Sequence, residues 1–166
     1  AEHLPGDLHG RWPGHLPRIR EMGFDWVYVN PWHYAGYSGS LYAVKDYYDY
    51  HPLLVNANLE ATGAQQLQAF LDAAHAAGLK VMMDLVVNHT AFDSVIAAEH
   101  PEWFQQGADG SLKRPGAMDG DVWVEWGDLV HVNNAGGPDQ LGLWNYWLGV
   151  MRHYVKMGVD GFRADA

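Results

Sequence analysis

The chain has 166 residues, of which 48% are hydrophobic and 18% charged, a balance typical of a globular domain with a substantial core. Its formal net charge of −10 and its lack of basic runs argue against nucleic acid as a partner. No apolar run approaches the roughly 18 residues that cross a bilayer, so we expect no membrane segment. The absence of cysteine excludes disulfides and thiolate metal sites.

One pattern, an amphipathic helix followed by a glycine and a short apolar strand, occurs three times. In its first occurrence we predict a helix over Trp12–Met22, ended by Gly23, and a strand over Phe24–Val29. Glycine suits the end of a helix because the residue there often adopts a positive φ angle. The next segment, Asn30–Glu60, is rich in tyrosine and glycine and is predicted to be a long loop.

The second occurrence begins with a capping box, Thr62-x-x-Gln65, in which each side chain bonds the other residue's backbone. Gly78 ends this helix, and a strand is predicted over Lys80–Val87. The helix is predicted to bury a stripe at helical spacing that consists of Leu67, Phe70, Leu71 and Ala74.

The third occurrence follows a second long loop, Thr90–Gly137, which is long enough to form a small subdomain. Asp119-Gly-Asp121 within it is predicted to be a plain turn, because the other ligands of a calcium loop are missing. A helix is predicted from Pro138 to Gly158, followed by the last strand. Its buried stripe is predicted to consist of Trp144, Trp147, Leu148, Met151, Tyr154 and Val155.

The predicted strands are short and nearly all apolar, which indicates burial on both faces and hence a parallel sheet covered by helices. The long loops follow the carboxyl ends of the strands, where barrel enzymes carry their chemistry. A cofactor-binding α/β domain is the weaker alternative, because no Gly-rich phosphate loop follows any strand.

Polar residues occur at the ends of two of these strands. Arg163 and Asp165 are two residues apart, so on a strand their side chains share a face. A guanidinium beside a carboxylate favours its ionised form, which is the form that a carboxylate nucleophile needs. Asp84 and Asn88 likewise share a face of the preceding strand, and His89 follows it. Each residue also has a purely structural interpretation: Asp84 as a satisfied buried carboxylate, His89 as a packing residue, and the Arg–Asp pair as an ordinary ion pair.

Together these segments resemble the α-amylase family of glycoside hydrolases. Asp84-Leu-Val-Val-Asn-His89 is similar to the family's first signature region, and Gly161-Phe-Arg-Ala-Asp165 to its second. Ser40–Tyr48 resembles the loop after barrel strand two. The segment Asn30–Ser40 looks more like bacterial maltosyltransferase-type members than like secreted amylases. The resemblance implies a partial (β/α)8 TIM barrel, about strands two to four, with a short inserted subdomain after strand three.

The resemblance also implies roles for single residues. Asp165 matches the catalytic nucleophile and Arg163 the arginine that keeps it charged and oriented. His89 matches a histidine that bonds sugar hydroxyls, Tyr42 a tyrosine that stacks on the same ring, and Asp84 a residue that braces the site. The implied partner is an α-glucan or maltooligosaccharide.

A calcium ligand is implied only at Asn88, and no cofactor is required. The sequence departs from the family's pattern at two places that bear on the site. His131 stands where many members carry a calcium-binding aspartate, which argues against calcium because that ion prefers hard oxygen ligands. Ser40-Leu41 replaces the His-Gly that often precedes the stacking tyrosine, which weakens one expected sugar contact.

Retaining glycoside chemistry needs two carboxyl groups about 5.5 Å apart, and the family's acid/base glutamate lies on the strand after the nucleophile. We therefore expect this chain to be about half a barrel, with no barrel strand in residues 1–11, and to lack activity on its own. The expected divisions are 1–89 (first part of the barrel), 90–133 (inserted subdomain) and 134–166 (barrel continuation).

Unpaired strand edges predict self-association or pairing with a complementary barrel half. A non-catalytic carbohydrate-binding or scaffolding relative is the alternative function. Hydrolysis and glucosyl transfer share the first chemical step, so both remain open.

Overall fold

The computed structural model describes residues 11–165. Its helices are α1 (Trp12–Glu21), α2 (Gly63–Ala76), α3 (Val95–Glu99) and α4 (Gln140–Met157), with a 3-10 turn at Pro101–Trp103. Its strands are β1 (Trp26–Val29), β2 (His33–Ala35), β3 (Val44–Tyr50), β4 (Lys80–Val86), β5 (His89–Ala91), β6 (Gly116–Asp119), β7 (Val122–Glu125), β8 (Leu129–His131) and β9 (Gly161–Asp165).

A three-stranded parallel sheet in the order β1-β4-β9 organises the described residues. The three strands follow α1, α2 and α4, and both strand pairs are parallel, so the prediction of an α/β fold with parallel strands is confirmed. Val81, Met83 and Val86 of the central strand are buried, as expected for a strand covered on both faces. The expectation for residues 1–11 falls almost entirely outside the described range.

Local sequence signals set the ends of the helices as predicted. The Thr62 side chain accepts a hydrogen bond from the Gln65 amide (3.2 Å), while the Gln65 side chain accepts one from the Thr62 amide (2.8 Å). Gly158 ends α4 in the left-handed region, at φ 113°. In the part of the chain that the structure describes, no helix is both long and apolar enough to cross a membrane.

The buried stripe predicted for α2 is correct, but the one predicted for α4 is partly wrong. Trp144, Leu148 and Val155 are 41–54% exposed. The helix has two apolar faces, and only one of them packs against the tyrosines of β3, so periodicity alone could not choose between them. The buried face consists of Leu143, Trp147, Val150 and Tyr154.

Both long loops contain strands that the sequence analysis did not predict. The segment 30–60 holds the antiparallel pair β2–β3, whose β3 is interrupted by Asp46 and Asp49 and therefore has no clear strand pattern. The segment 90–137 holds the antiparallel pairs β5–β8 and β6–β7. Residues 119–122 connect β6 to β7, with Gly120 at φ 61°, so the predicted plain turn is confirmed.

A buried histidine lies where α4 packs on β2 and β3. His33 is fully buried, with its Nδ1 3.2 Å from the Tyr154 hydroxyl. That hydroxyl donates its single proton to the Tyr47 carbonyl (2.5 Å), so Nδ1 must be the donor in its contact with Tyr154. The His33 Nε2 is then a buried acceptor without a partner. Burial lowers the pKa of His33 to about 3.

Acid is therefore expected to destabilise the fold through His33. Between pH 6.5 and about 3 the unfolded chain binds a proton that the folded chain excludes, so stability falls as pH falls. From pH 7 to pH 4 we expect His33 to lower the free energy of unfolding by about 3 kcal/mol, since one pKa unit corresponds to 1.36 kcal/mol. Urea unfolding across this range should show a weaker pH dependence for His33→Gln, whereas exposed His15→Gln should match the wild type. If the free energy of unfolding depended equally on pH in the wild type and both variants, the acid sensitivity would not come from His33.

Candidate active site

The candidate site lies at the carboxyl edges of β4 and β9. The parallel register pairs Asp84 with Arg163 and Val86 with Asp165. The two signature regions are therefore neighbours in space, although they are far apart in the sequence. Period-2 geometry then directs Asp84, Arg163 and Asp165 to the same face of the sheet.

Arg163 joins the two carboxylates. Its Nη1 lies 3.1 and 2.9 Å from the Asp84 carboxylate oxygens and 2.6 Å from Asp165 Oδ1. The Asp84 side chain is fully buried, whereas that of Asp165 is 22% exposed. The bond to Asp84 is the main cause that raises the pKa of Arg163. A permanent cation thus holds Asp165 at the edge of solvent.

Asp84 accepts two further hydrogen bonds, from tyrosine hydroxyls. Tyr42 donates to its Oδ2 at 3.0 Å, and Tyr28 of β1 donates to the same oxygen. Burial and the bond to Asp84 raise the pKa of the Tyr28 hydroxyl. Asp84 is therefore a buried, fully bonded carboxylate that fixes Arg163, Tyr42 and Tyr28 around it.

A cleft of about 540 Å³ opens beside Asp165. His89 also lines it, is 8% exposed, and has a buried Nδ1 without a partner. Burial lowers the pKa of His89, against the opposing effect of the Asp165 charge, so its imidazole is neutral at pH 7. Tyr42, Asp84 and Arg163 do not line the cleft, but the Tyr42 backbone lies beside His89, and Arg163 joins Asp84 to Asp165. The other lining residues are Asn88, Gln105, Lys113, Arg114, Pro115, Gly116, Trp123, Trp126 and His131.

Asn88 is the residue implied as a calcium ligand. Its Oδ1 lies 3.3 Å from His131 Nε2, so a nitrogen donor occupies the neighbourhood of the amide oxygen. Between residues 11 and 165, no three His, Asp or Glu side chains converge as metal ligands would. An amide oxygen and an imidazole do not fit calcium, which needs six to eight oxygen ligands.

Several residues of the site are not among those predicted from the sequence. Tyr28 fits the pattern of an apolar strand, although its hydroxyl donates a hydrogen bond to Asp84. Trp123 and Trp126 come from the unpredicted hairpin β6–β7, and Lys113 from the segment before it. A signal existed for the tryptophans, since two of them three residues apart in a loop are unusual, but nothing in the sequence placed them beside Asp165.

Comparisons with known proteins support the family suggested by these signatures. A family model described as the glucanotransferase domain of glycogen debranching enzyme matches residues 4–107. An α-1,4-glucan:maltose-1-phosphate maltosyltransferase from Myxococcus xanthus is 31% identical over 92% of this chain and 24% of its own length. The trehalose synthase/amylase TreS of Mycolicibacterium smegmatis is 26% identical over 97% of this chain and 29% of its own length. The chain thus spans about a quarter of the length of these relatives.

Solved structures show the same fold. An α-amylase from Lactobacillus plantarum has a TM-score of 0.74 and 34% identity, covering 92% of this chain and 33% of its own. A maltogenic α-amylase from Thermotoga neapolitana has a TM-score of 0.72 and 32% identity, covering 93% of this chain and 33% of its own. With the family model matching more than half of the sequence, the chain belongs to the α-amylase family of glycoside hydrolases, as a maltosyltransferase-like member.

Proposed function

We propose that this chain supplies the nucleophile half of a retaining enzyme that acts on an α-glucan or maltooligosaccharide. In this proposal Asp165 attacks the anomeric carbon, the C–O bond to the leaving group breaks, and a glycosyl ester forms on Asp165. Arg163 places a permanent cation beside that carboxylate and orients it. His89 and Tyr42 hold the attacked sugar ring, and Asp84 braces Arg163 and Tyr42.

The observation that carries this proposal is the contact of one Arg163 nitrogen with both Asp84 and Asp165. A carboxylate nucleophile must be ionised, oriented and open to substrate. Asp165 is held by a cation and lines a cleft together with a neutral histidine. A hydroxyl of a sugar could bond that histidine while its anomeric carbon approaches the carboxylate.

The proton donor that retaining chemistry also needs has no candidate in this cleft. Asp165 is the single carboxylate among the described residues that line it. Asp84 lies close by, but it is fully buried and its oxygens accept bonds from Arg163, Tyr28 and Tyr42. A carboxylate that is buried and hydrogen-bonded in this way has no path to a leaving group. We therefore infer that the 166 residues alone lack activity.

Covalent trapping tests the proposed function. A 5-fluoro-α-glucosyl fluoride reacts with a retaining enzyme to release fluoride and leave a slowly hydrolysed glycosyl ester. Peptide mapping of the intact gene product should locate this ester on Asp165. The Asp165→Asn variant should remain unlabelled, and Asp121→Asn, an exposed carboxylate in the β6–β7 turn, should label as the wild type. A non-catalytic carbohydrate-binding relative would give no ester, and an ester on another residue would refute the assignment of Asp165.

The barrel organisation extends this proposal. We infer that 1–89 and 134–166 contribute barrel units two to four, and that 90–133 is a subdomain inserted between them. Within the described residues, β1 and β9 each pair only with β4, which leaves a free edge on both outer strands. The outward face of α4 is apolar at Trp144, Leu148 and Val155.

Free strand edges and an exposed apolar helix face favour association. We therefore expect the 166-residue chain to self-associate or to bind a complementary barrel half. Sedimentation velocity over a hundredfold range of concentration should show a rising average mass. A monomer throughout that range would contradict the expectation.

A further inference from the structure

Two tryptophans face the cleft beside Asp165 from the hairpin β6–β7. Trp123 lies on β7 and is 57% exposed, and Trp126 follows that strand and is 42% exposed. Both line the same cleft as Asp165 and His89. Large aromatic rings left open to water beside a candidate catalytic carboxylate need an explanation, because burying them elsewhere would be favourable.

The position of Trp123 is fixed by Gly116 on the paired strand. A Cβ atom at residue 116 would come within 2.8 Å of Trp123 Cε2 and Cζ2, and it would also overlap the Val124 carbonyl. The indole therefore lies directly on the glycine backbone, and any side chain at residue 116 would displace it. Trp126 is anchored by its amide, which donates to the Pro115 carbonyl at 2.8 Å. The hairpin thus presents one ring in a set orientation and a second from an anchored backbone.

We propose that Trp123 and Trp126 form an aromatic platform that binds a glucose ring of an α-glucan next to the ring attacked by Asp165. This inference rests on the proposed function for the position of the attacked ring. The apolar face of a pyranose packs well on an indole, while its hydroxyls remain at the rim. Polar groups are available there, since Gln105, Lys113 and His131 line the same cleft.

The cleft has the size and composition for such a ligand. Its volume of about 540 Å³ lies in the range of roughly 300–1,000 Å³ that small-molecule sites occupy. The exposed apolar residues Val122 and Val124 are not among the residues that line it. A protein interface on this hairpin would depend on those valines, whereas a sugar platform depends on the tryptophans, so the two functions can be separated by substitution.

Calorimetric titration with maltotriose tests the platform. The intact gene product would carry Asp165→Asn to prevent turnover, and Trp123→Ala and Trp126→Ala would be added singly. Stacking of this kind contributes on the order of 1 kcal/mol, so we expect about fivefold weaker binding for each variant. The matched controls are Val122→Ala and Val124→Ala, which truncate exposed apolar side chains of the same hairpin outside the cleft and should leave the Kd unchanged.

A second variant keeps both tryptophans. Gly116→Val should displace the Trp123 indole and weaken maltotriose binding to a similar extent. The urea unfolding midpoint of each variant, compared with that of the parent, would show that the variant is folded. Unchanged affinity in Trp123→Ala and Trp126→Ala, or no maltotriose binding by the parent, would overturn the platform. If binding depends on the tryptophans but trapping does not label Asp165, the platform stands and the assignment of the nucleophile fails.

Discussion

Replacing Asp165 by alanine is expected to lower turnover of an α-glucan by the intact gene product by about 10⁴-fold or more. The reason is that the covalent step loses its nucleophile, and losses of this size follow removal of a nucleophile in well-studied enzymes. The KM should change far less, because His89 and Tyr42, rather than Asp165, are proposed to hold the ring. Steady-state kinetics with a maltooligosaccharide would measure both quantities.

A small anion offers a sharper test of the same residue. Azide can occupy the space that the carboxylate leaves and attack the anomeric carbon of an activated α-glucoside, such as α-glucosyl fluoride. The C–N bond forms as the C–F bond breaks, and the product is the β-glucosyl azide with fluoride. Azide should restore turnover of Asp165→Ala but have no such effect on wild type. Near-normal activity of Asp165→Ala without azide would rule out a nucleophilic role.

Replacing Arg163 by leucine is expected to destabilise the folded chain at pH 7 by clearly more than the loss of an exposed ion pair would. The change leaves the Asp84 carboxylate fully buried without its cation, and removing one partner of a buried charge is strongly destabilising. The hydrogen bonds that Tyr28 and Tyr42 still donate to Asp84 limit the loss. Urea unfolding followed by circular dichroism would measure the difference.

The chain offers a matched control for this substitution. Arg20 forms an ion pair with Asp25 on the surface, and its side chain is 47% exposed, the same as that of Arg163. Its partner is 72% exposed rather than buried, so Arg20→Leu should cost less than about 1 kcal/mol. The double variant Asp84→Leu with Arg163→Leu should be more stable than Arg163→Leu alone, since no uncompensated charge remains. Equal costs for Arg20→Leu and Arg163→Leu would contradict this account of Asp84.

Local sequence signals predicted the helix ends and the parallel strands well. The capping box at Thr62 and the glycine after α4 are decided within a few residues, so the sequence contains all the information needed. The exposed face of α4 was not predictable, because which of two apolar faces is buried depends on β3. That strand was itself missed, since aspartates interrupt its apolar pattern.

The core of the candidate site followed from period-2 spacing, because Arg163 and Asp165 lie on one strand and Asp84 lies at the equivalent level of its neighbour. Tyr28 and the two tryptophans could not be placed from the sequence. Their position depends on how β1 and the hairpin β6–β7 sit relative to β9, and no local signal reports on contacts between distant segments.

The hydrogen bonds to Asp84 also bear on how the chain folds. Its three partners, Tyr28, Tyr42 and Arg163, are separated from it by 56, 42 and 79 residues, and all three must arrive before the carboxylate is satisfied. Closing loops of this length is slow compared with helix formation. An intermediate whose helices are complete but whose β9 is undocked would hold Asp84 without its cation and Asp165 without orientation. In the intact gene product, catalytic competence is therefore expected to emerge at the final docking event, so recovered activity would report on complete folding more strictly than recovered helix content.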